Sequence, residues 1–229
     1  MSIQALLKNL FVSLFICMQN VALAETEEDG SIWFNVNAQG KLPVENLNWY
    51  AEIQPRWRAE GDHFDSLILR PGIFYKISSK SSAWAGYANV RRHPAGRSTV
   101  EENRLWQQFL YNFDPIYGVN LQSRTRLEER WLEGGSDTGY RLRQLIRLTK
   151  PLELQPRFLF VVWDEWFVHL NNTDWGANKG LDQNRLFVGA SWAIKPNALL
   201  EIGYLNQYVN MQDVNKMNHV FSSTLNLNF

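Results

Sequence analysis

Residues Asn120–Trp131 read NLQSRTRLEERW, and the alternation in this stretch decides the fold. Asn120, Gln122, Arg124, Arg126, Glu128 and Arg130 take every second position. Leu121, Ser123, Thr125, Leu127 and Trp131 stand between them, with Glu129 the exception. Successive side chains of a β-strand point to opposite faces, so the segment has one arginine-rich face and one face suited to a core or to lipid.

Working outward, the same layout recurs about eleven times. Before the opening stretch come Ile32–Gln39, Leu47–Arg58, Leu67–Ile77, Trp84–Arg92 and the less regular Asn103–Phe113. After it come Tyr140–Thr149, Glu153–Val168, Asn184–Ile194, Leu199–Tyr208 and His219–Phe229. Pro156 is in mild conflict with its strand, because proline removes a ladder donor. Short links follow Gln39, Ile77, Phe113, Thr149 and Ile194, and longer ones follow Arg58, Arg92, Trp131, Val168 and Tyr208. Short turns at one end and longer loops at the other are the layout of an outer-membrane barrel. The apolar faces also carry aromatic residues at two depths. Trp49, Tyr75, Phe113, Trp192 and Phe229 lie near the short turns, and Trp57, Trp131, Tyr140, Tyr208 and Phe221 near the long loops. A soluble β-sandwich explains the alternation but not aromatics at strand ends on the apolar face.

The expected fold is therefore all-β: a closed antiparallel transmembrane β-barrel of ten to twelve strands. Single-chain bacterial barrels have even strand numbers, so eleven segments imply a hidden strand near Glu25–Ser31, or one split or merged. Twelve is the favoured count. No apolar run after Ala24 is long enough for a transmembrane helix, which needs about 20 residues.

Residues 1–24 have the pattern of a cleaved signal peptide, leaving 25–229 as one barrel domain. Lys8 precedes the apolar stretch Leu10–Met18, and Ala22-Leu23-Ala24 is an A-x-A site, with the cut after Ala24. Cys17 follows bulky Ile16, not the small residue of a lipoprotein signal. It is the one cysteine, so the chain after Ala24 has no disulfide or thiolate chemistry. Formal charge balances at 23 basic and 23 acidic residues, which gives no general attraction for nucleic acid. All ten Trp fall after the leader, and that richness fits interfacial belts.

The C-terminal strand NHVFSSTLNLNF puts Phe221, Leu225, Leu227 and Phe229 on one face. It resembles the terminal strand by which the barrel assembly machinery recognises outer-membrane proteins. Export and this strand together place the chain in the bacterial outer membrane, with lipid and lipopolysaccharide as its surroundings. More broadly, RTRLEER (Arg124–Arg130), YRLRQLIR (Tyr140–Arg147), WDEWF (Trp163–Phe167), DQNRLFVG (Asp182–Gly189), EIGYLNQ (Glu201–Gln207) and Asn218–Phe229 occur in this order. In them the chain resembles a family of bacterial outer-membrane proteins catalogued as domain of unknown function 2490. That resemblance implies a barrel and no established activity, and it transfers no functional residue.

With apolar faces toward lipid, Arg56, Arg58, Arg70, Arg91, Arg104, Arg124, Arg126, Arg130, Arg141, Arg143, Arg147, Arg157 and Arg185 turn inward. The acids on the same faces are Glu52, Glu128, Glu165 and Glu201, while Asp65 and most others fall in loops. A buried unpaired charge costs several kcal/mol, and the acids are too few, so water or an anionic ligand should fill the lumen. The leading expectation is a narrow channel or binding barrel for small anionic solutes, in that respect similar to small arginine-lined porins for acidic sugars. A closed structural or interaction barrel is the alternative, since small barrels can be packed shut by side chains. An envelope enzyme ranks third: His169 lies near Asp164 and Glu165 at a loop-side strand end, where a triad would need a serine placed by the fold. The loop NNTDWGANKG (Asn171–Gly180) has oxygens for calcium but not the ordered spacing of a calcium loop, and no cofactor or metal is expected.

Overall fold

Strict alternation lets a strand pair on both edges while its two faces stay chemically distinct, which is the requirement for rolling a sheet into a tube. The computed structural model describes residues 26–152, 155–211 and 213–229. Among the described residues eleven strands close into one barrel: β1 Thr26–Lys41, β2 Leu47–Arg58, β3 His63–Lys76, β4 Ser81–Arg92, β5 Val100–Asn112, β6 Asn120–Leu132, β7 Gly139–Leu152, β8 Gln155–His169, β9 Gly180–Lys195, β10 Ala198–Val209 and β11 Asn215–Asn228. The leader expected at Met1–Ala24 lies outside the described residues.

Consecutive strands are antiparallel from β1–β2 to β10–β11, but the barrel closes on a parallel pair. β1 runs beside β11 from Thr26 opposite Asn215 to Gln39 opposite Asn228. This corrects the expected ten or twelve antiparallel strands. An odd number of up-and-down strands brings the first and last together in the same direction. A parallel ladder satisfies both edges, with slanted bonds and slightly less stability per residue. Amide side chains reinforce the seam from inside. Asn37 Nδ2 donates to Asn226 Oδ1 at 3.0 Å, and Gln39 Nε2 to Asn228 Oδ1 at 2.6 Å.

The two ends differ less in loop length than the alternation suggests. β3 begins at His63, so the link after β2 shrinks to 59–62. The link 113–119 between β5 and β6 is as long as 93–99 at the other rim. Polar residues at strand ends, such as His63, kept pairing after the apolar pattern had faded. The longest connection, 170–179, still sits on the rim expected for long loops.

The outer face is apolar and exposed. Ile53, Leu69, Ile73, Leu105, Phe109, Val188 and Ile202 project outward, with Tyr75, Phe113, Trp192 and Phe229 toward one rim and Tyr140 toward the other, while Phe221, expected near the long loops, lies at mid-strand opposite Tyr204. Inside, two buried rings lie on paired glycines. Trp106 covers Gly72 and Gly86, which face each other across β3 and β4, and Phe187 covers Gly189 and Gly203 across β9 and β10. A methyl group on Gly203 would stand 2.6 Å from the Phe187 ring and 2.7 Å from Gly189 Cα. Gly203→Ala is therefore expected to cost about 1–3 kcal/mol, read as a lower urea midpoint of the folded barrel.

Candidate functional site

Inward positions on all eleven strands enclose one elongated cavity of about 1170 Å³. It runs from Gln39 and Asn228 at the rim of the turns to Trp175 and Asn210 at the opposite rim. Of the residues expected inside, Arg56, Arg70, Arg104, Arg124, Arg126, Arg130, Arg141, Arg143, Arg147, Glu165, Arg185 and Glu201 line it. Glu128 is wholly buried behind them. Three expected positions are corrected. Arg58 closes β2 at the rim, partly exposed, with Nε 3.9 Å from Asp65. Arg157 is exposed near the start of β8, where the register against β7 shifts between Pro151 and Leu152. Arg91 points outward to Glu101 at 2.9 Å, and its neighbour Arg92 takes the inner position.

Carboxylates are shared between guanidiniums. Glu128 accepts from Arg141 Nε at 2.9 Å and Nη2 at 2.6 Å, and from Arg143 Nη1 at 2.7 Å. Glu165 accepts from Arg143 Nε at 2.9 Å and Arg124 Nη2 at 2.6 Å. Glu102 meets Arg104 at 2.7 Å, Arg130 at 2.6 Å, and Arg92. Glu52 binds Arg70 at 2.5 Å, and Glu201 binds Arg147 from β7. Eight interior arginines thus share six carboxylates, the sixth being Asp182, so the acids go further than a one-to-one count allows.

Glu102 and Asp182 were missed in the sequence for different reasons. Glu102 is two residues before Arg104 on the same face, and it would have been found had β5 been started earlier. Asp182 owes its position to a β-bulge. Phe167 pairs with Gln183 and Val168 with Leu181, which leaves Asp182 as the extra residue. A bulge re-aims a side chain. Here it turns Asp182 into the cavity, where Oδ2 accepts from Arg141 Nη1 at 2.7 Å. A second bulge, between Arg56–Ser66 and Trp57–Phe64, turns Asp65 inward in the same way.

The bulge also alters the setting of His169. Its carboxylate neighbour is Asp182 at 3.4 Å, not Asp164 or Glu165, and its Nδ1 lies 3.5 Å from Arg130 Nη1. Asp164 is on the outer face of β8 with Asn184 Nδ2 at 2.6 Å. Among the described residues no serine or threonine hydroxyl hydrogen-bonds His169, so the triad geometry required for catalysis is not assembled there.

The loop 170–179 folds over the rim. Asp174 accepts from the backbone N–H of Ser136 at 2.8 Å and of Asp137 at 3.1 Å, and its own N–H donates to Asp137 at 2.8 Å. These backbone donors hold the Asp174 carboxyl below its ordinary range. Trp175 Nε1 donates to the Asp137 carbonyl at 2.8 Å, while its ring rests on Gly135 and Gly139 and faces Arg130 at 5.2 Å. Oxygens that could have served calcium are taken up by the chain itself: Asn172 Oδ1 accepts from Lys179 N, and Asp174 serves two amides.

Residues 30–218 match the family described as protein of unknown function, DUF2490. The chain belongs to that family. An uncharacterised protein of Methylorubrum extorquens is 36% identical over 206 residues, covering 89% of this chain and 90% of that protein. Two solved structures are similar in shape. The NanC porin, in a rhombohedral crystal form, aligns with a TM-score of 0.48 and 11% identity over 80% of this chain and 89% of that one. A structure described under the mechanism of in-meso crystallization of membrane proteins aligns with a TM-score of 0.41 and 13% identity, over 81% and 79%.

Proposed function

We propose that this protein is a bacterial outer-membrane barrel whose interior binds and passes small anionic solutes. The observation that carries the reading is the charge of the cavity wall. Among the described residues eleven arginines line it, and the carboxylates within reach neutralise only part of that charge. Charged rings set the selectivity of a pore, and guanidiniums stay protonated at any relevant pH. The exposed apolar exterior with aromatics near both rims supports a lipid setting, because such a surface has no favourable contact with water. In this setting lipid and lipopolysaccharide surround the barrel, and the assembly machinery engages β11 through the face bearing Phe221, Leu225, Leu227 and Phe229.

A second reading, a closed structural or interaction barrel, draws on the ion pairs that span the interior. Arg147 of β7 reaches Glu201 of β10, Arg141 reaches Asp182 of β9, and Trp175 lies across one rim. Planar-bilayer recording separates the two. In a potassium chloride gradient the folded protein is expected to give reversal potentials on the anion-selective side. Complete electrical silence of folded protein would reject the channel and favour the closed barrel.

A further inference from the structure

The interior arginines fall into two classes according to what holds them. Eight meet a carboxylate. The other three lean on glutamine. Arg56 Nη2 donates to Gln54 Oε1 at 2.8 Å, Arg185 Nη2 to Gln183 Oε1 at 3.0 Å, and Arg126 Nη2 to Gln108 Oε1 at 2.6 Å. A neutral amide fixes the direction of a guanidinium and leaves its charge uncancelled. Each of the three is also seated on an indole. Arg56 stands 3.9 Å and Arg185 5.0 Å from the centre of Trp33, and Arg126 stands 4.8 Å from Trp106.

Two like charges beside one buried indole repel each other unless something negative lies between them. Asp65 and Glu165 share the same space but are committed elsewhere, Asp65 to Ser66 and Arg58, and Glu165 to Arg143 and Arg124. Donor capacity is also left over: among the described residues the buried Arg56 Nε and Arg126 Nη1 have no hydrogen-bond partner, and nor do Arg70 Nε and Arg124 Nε, whose charges are however met by Glu52 and Glu165. Arg126 itself is only 4% exposed. An unpaired buried charge with an unused donor is costly, and an anion removes both costs.

We propose that Arg56, Arg126 and Arg185 are the anion-binding residues of this interior, and that their ligand is a compact oxyanion group, a phosphate or a carboxylate. Arg56 and Arg185 make one station around Trp33, and Arg126 makes a second against Trp106. The proposal rests on the anionic-solute reading and narrows it from all the interior arginines to three.

The decisive variant is the triple change Gln54→Glu, Gln108→Glu and Gln183→Glu, which supplies each free guanidinium with a carboxylate of the same shape. It is expected to lower the chloride-to-potassium permeability ratio about tenfold and to abolish block of chloride current by inorganic phosphate. Deleting one complete ion pair, Arg147→Gln with Glu201→Gln, is expected to change the ratio by less than about twofold. If the triple variant fails to fold, Arg56→Gln with Arg185→Gln gives the same readings. A wild type that is anion-selective, with both sets of variants equally selective, overturns this assignment and leaves the channel reading intact. For a barrel that carries no current, calorimetry with inorganic phosphate, and in a separate arm acetate, reads the same stations. Binding that is lost in the triple variant supports them, and absence of binding of both anions overturns them.

Discussion

Glu128→Gln is expected to lower the stability of the folded barrel by about 3–5 kcal/mol, the range seen when one partner of a buried ion pair is removed. Glu128 is wholly buried and receives three hydrogen bonds from Arg141 and Arg143. Glutamine keeps the shape but offers one acceptor oxygen, and its amide hydrogens point at guanidinium hydrogens. Neither arginine can escape, because Arg141 remains tied to Asp182 and Arg143 to Glu165. Typical domains have only about 5–15 kcal/mol in total, so the loss is a large fraction of what holds the fold. The check is a urea titration, with the folded fraction also read as a shift in gel mobility. Adding Arg143→Gln should recover part of the loss, because the second change removes a charge left without its partner. A loss below about 1 kcal/mol would mean that water already solvates Glu128 and that the pairs behave like surface salt bridges.

The arginine-rich face of Asn120–Trp131 was legible because β6 is regular along its whole length, so parity alone assigns Arg124, Arg126 and Arg130 to the inside. Parity fails where the backbone gains a residue. Asp65 and Asp182 read as loop or outward residues, yet both line the cavity, because each is the unpaired residue of a bulge. A bulge leaves no mark in hydrophobic alternation when the extra residue is polar and lies near a strand end. Pairing between interior side chains was hidden for another reason. Arg147 reaches Glu201 from three strands away, 54 positions along the chain, and no local pattern connects them. The distinction between arginines held by glutamate and those held by glutamine also needs the folded arrangement. QSR at 122–124 and QNR at 183–185 look alike, but Arg124 finds Glu165 whereas Arg185 stays on Gln183. The strand count failed differently. Eleven segments were visible, and the general preference for even numbers argued against them.

Cysteines at Asn37 and Asn226, in a chain with Cys17 replaced by serine, are expected to form a disulfide in nearly all folded molecules. The two residues are partners across the β1–β11 seam, with their amides 3.0 Å apart. Neighbouring strands in a sheet lie about 4.7–4.9 Å apart, within the Cα span a disulfide bridges. Asn35→Cys with Asn228→Cys should not cross-link, because Asn35 faces Thr224 and Asn228 faces Gln39. The contrast tests direction as well as proximity. If an additional strand closed the barrel antiparallel, Asn37 would face that strand, and neither pair would form. A parallel seam has a further consequence. Thr26 lies beside Asn215 at the rim that carries the loop 170–179, while Phe229 lies beside Gln39 at the other rim. The first and last described residues are therefore on opposite ends of the barrel, whereas an even-stranded barrel holds them at the same end. The parity of the strand number thus decides whether the first and last described residues share a rim, and the disulfide test reads that parity directly.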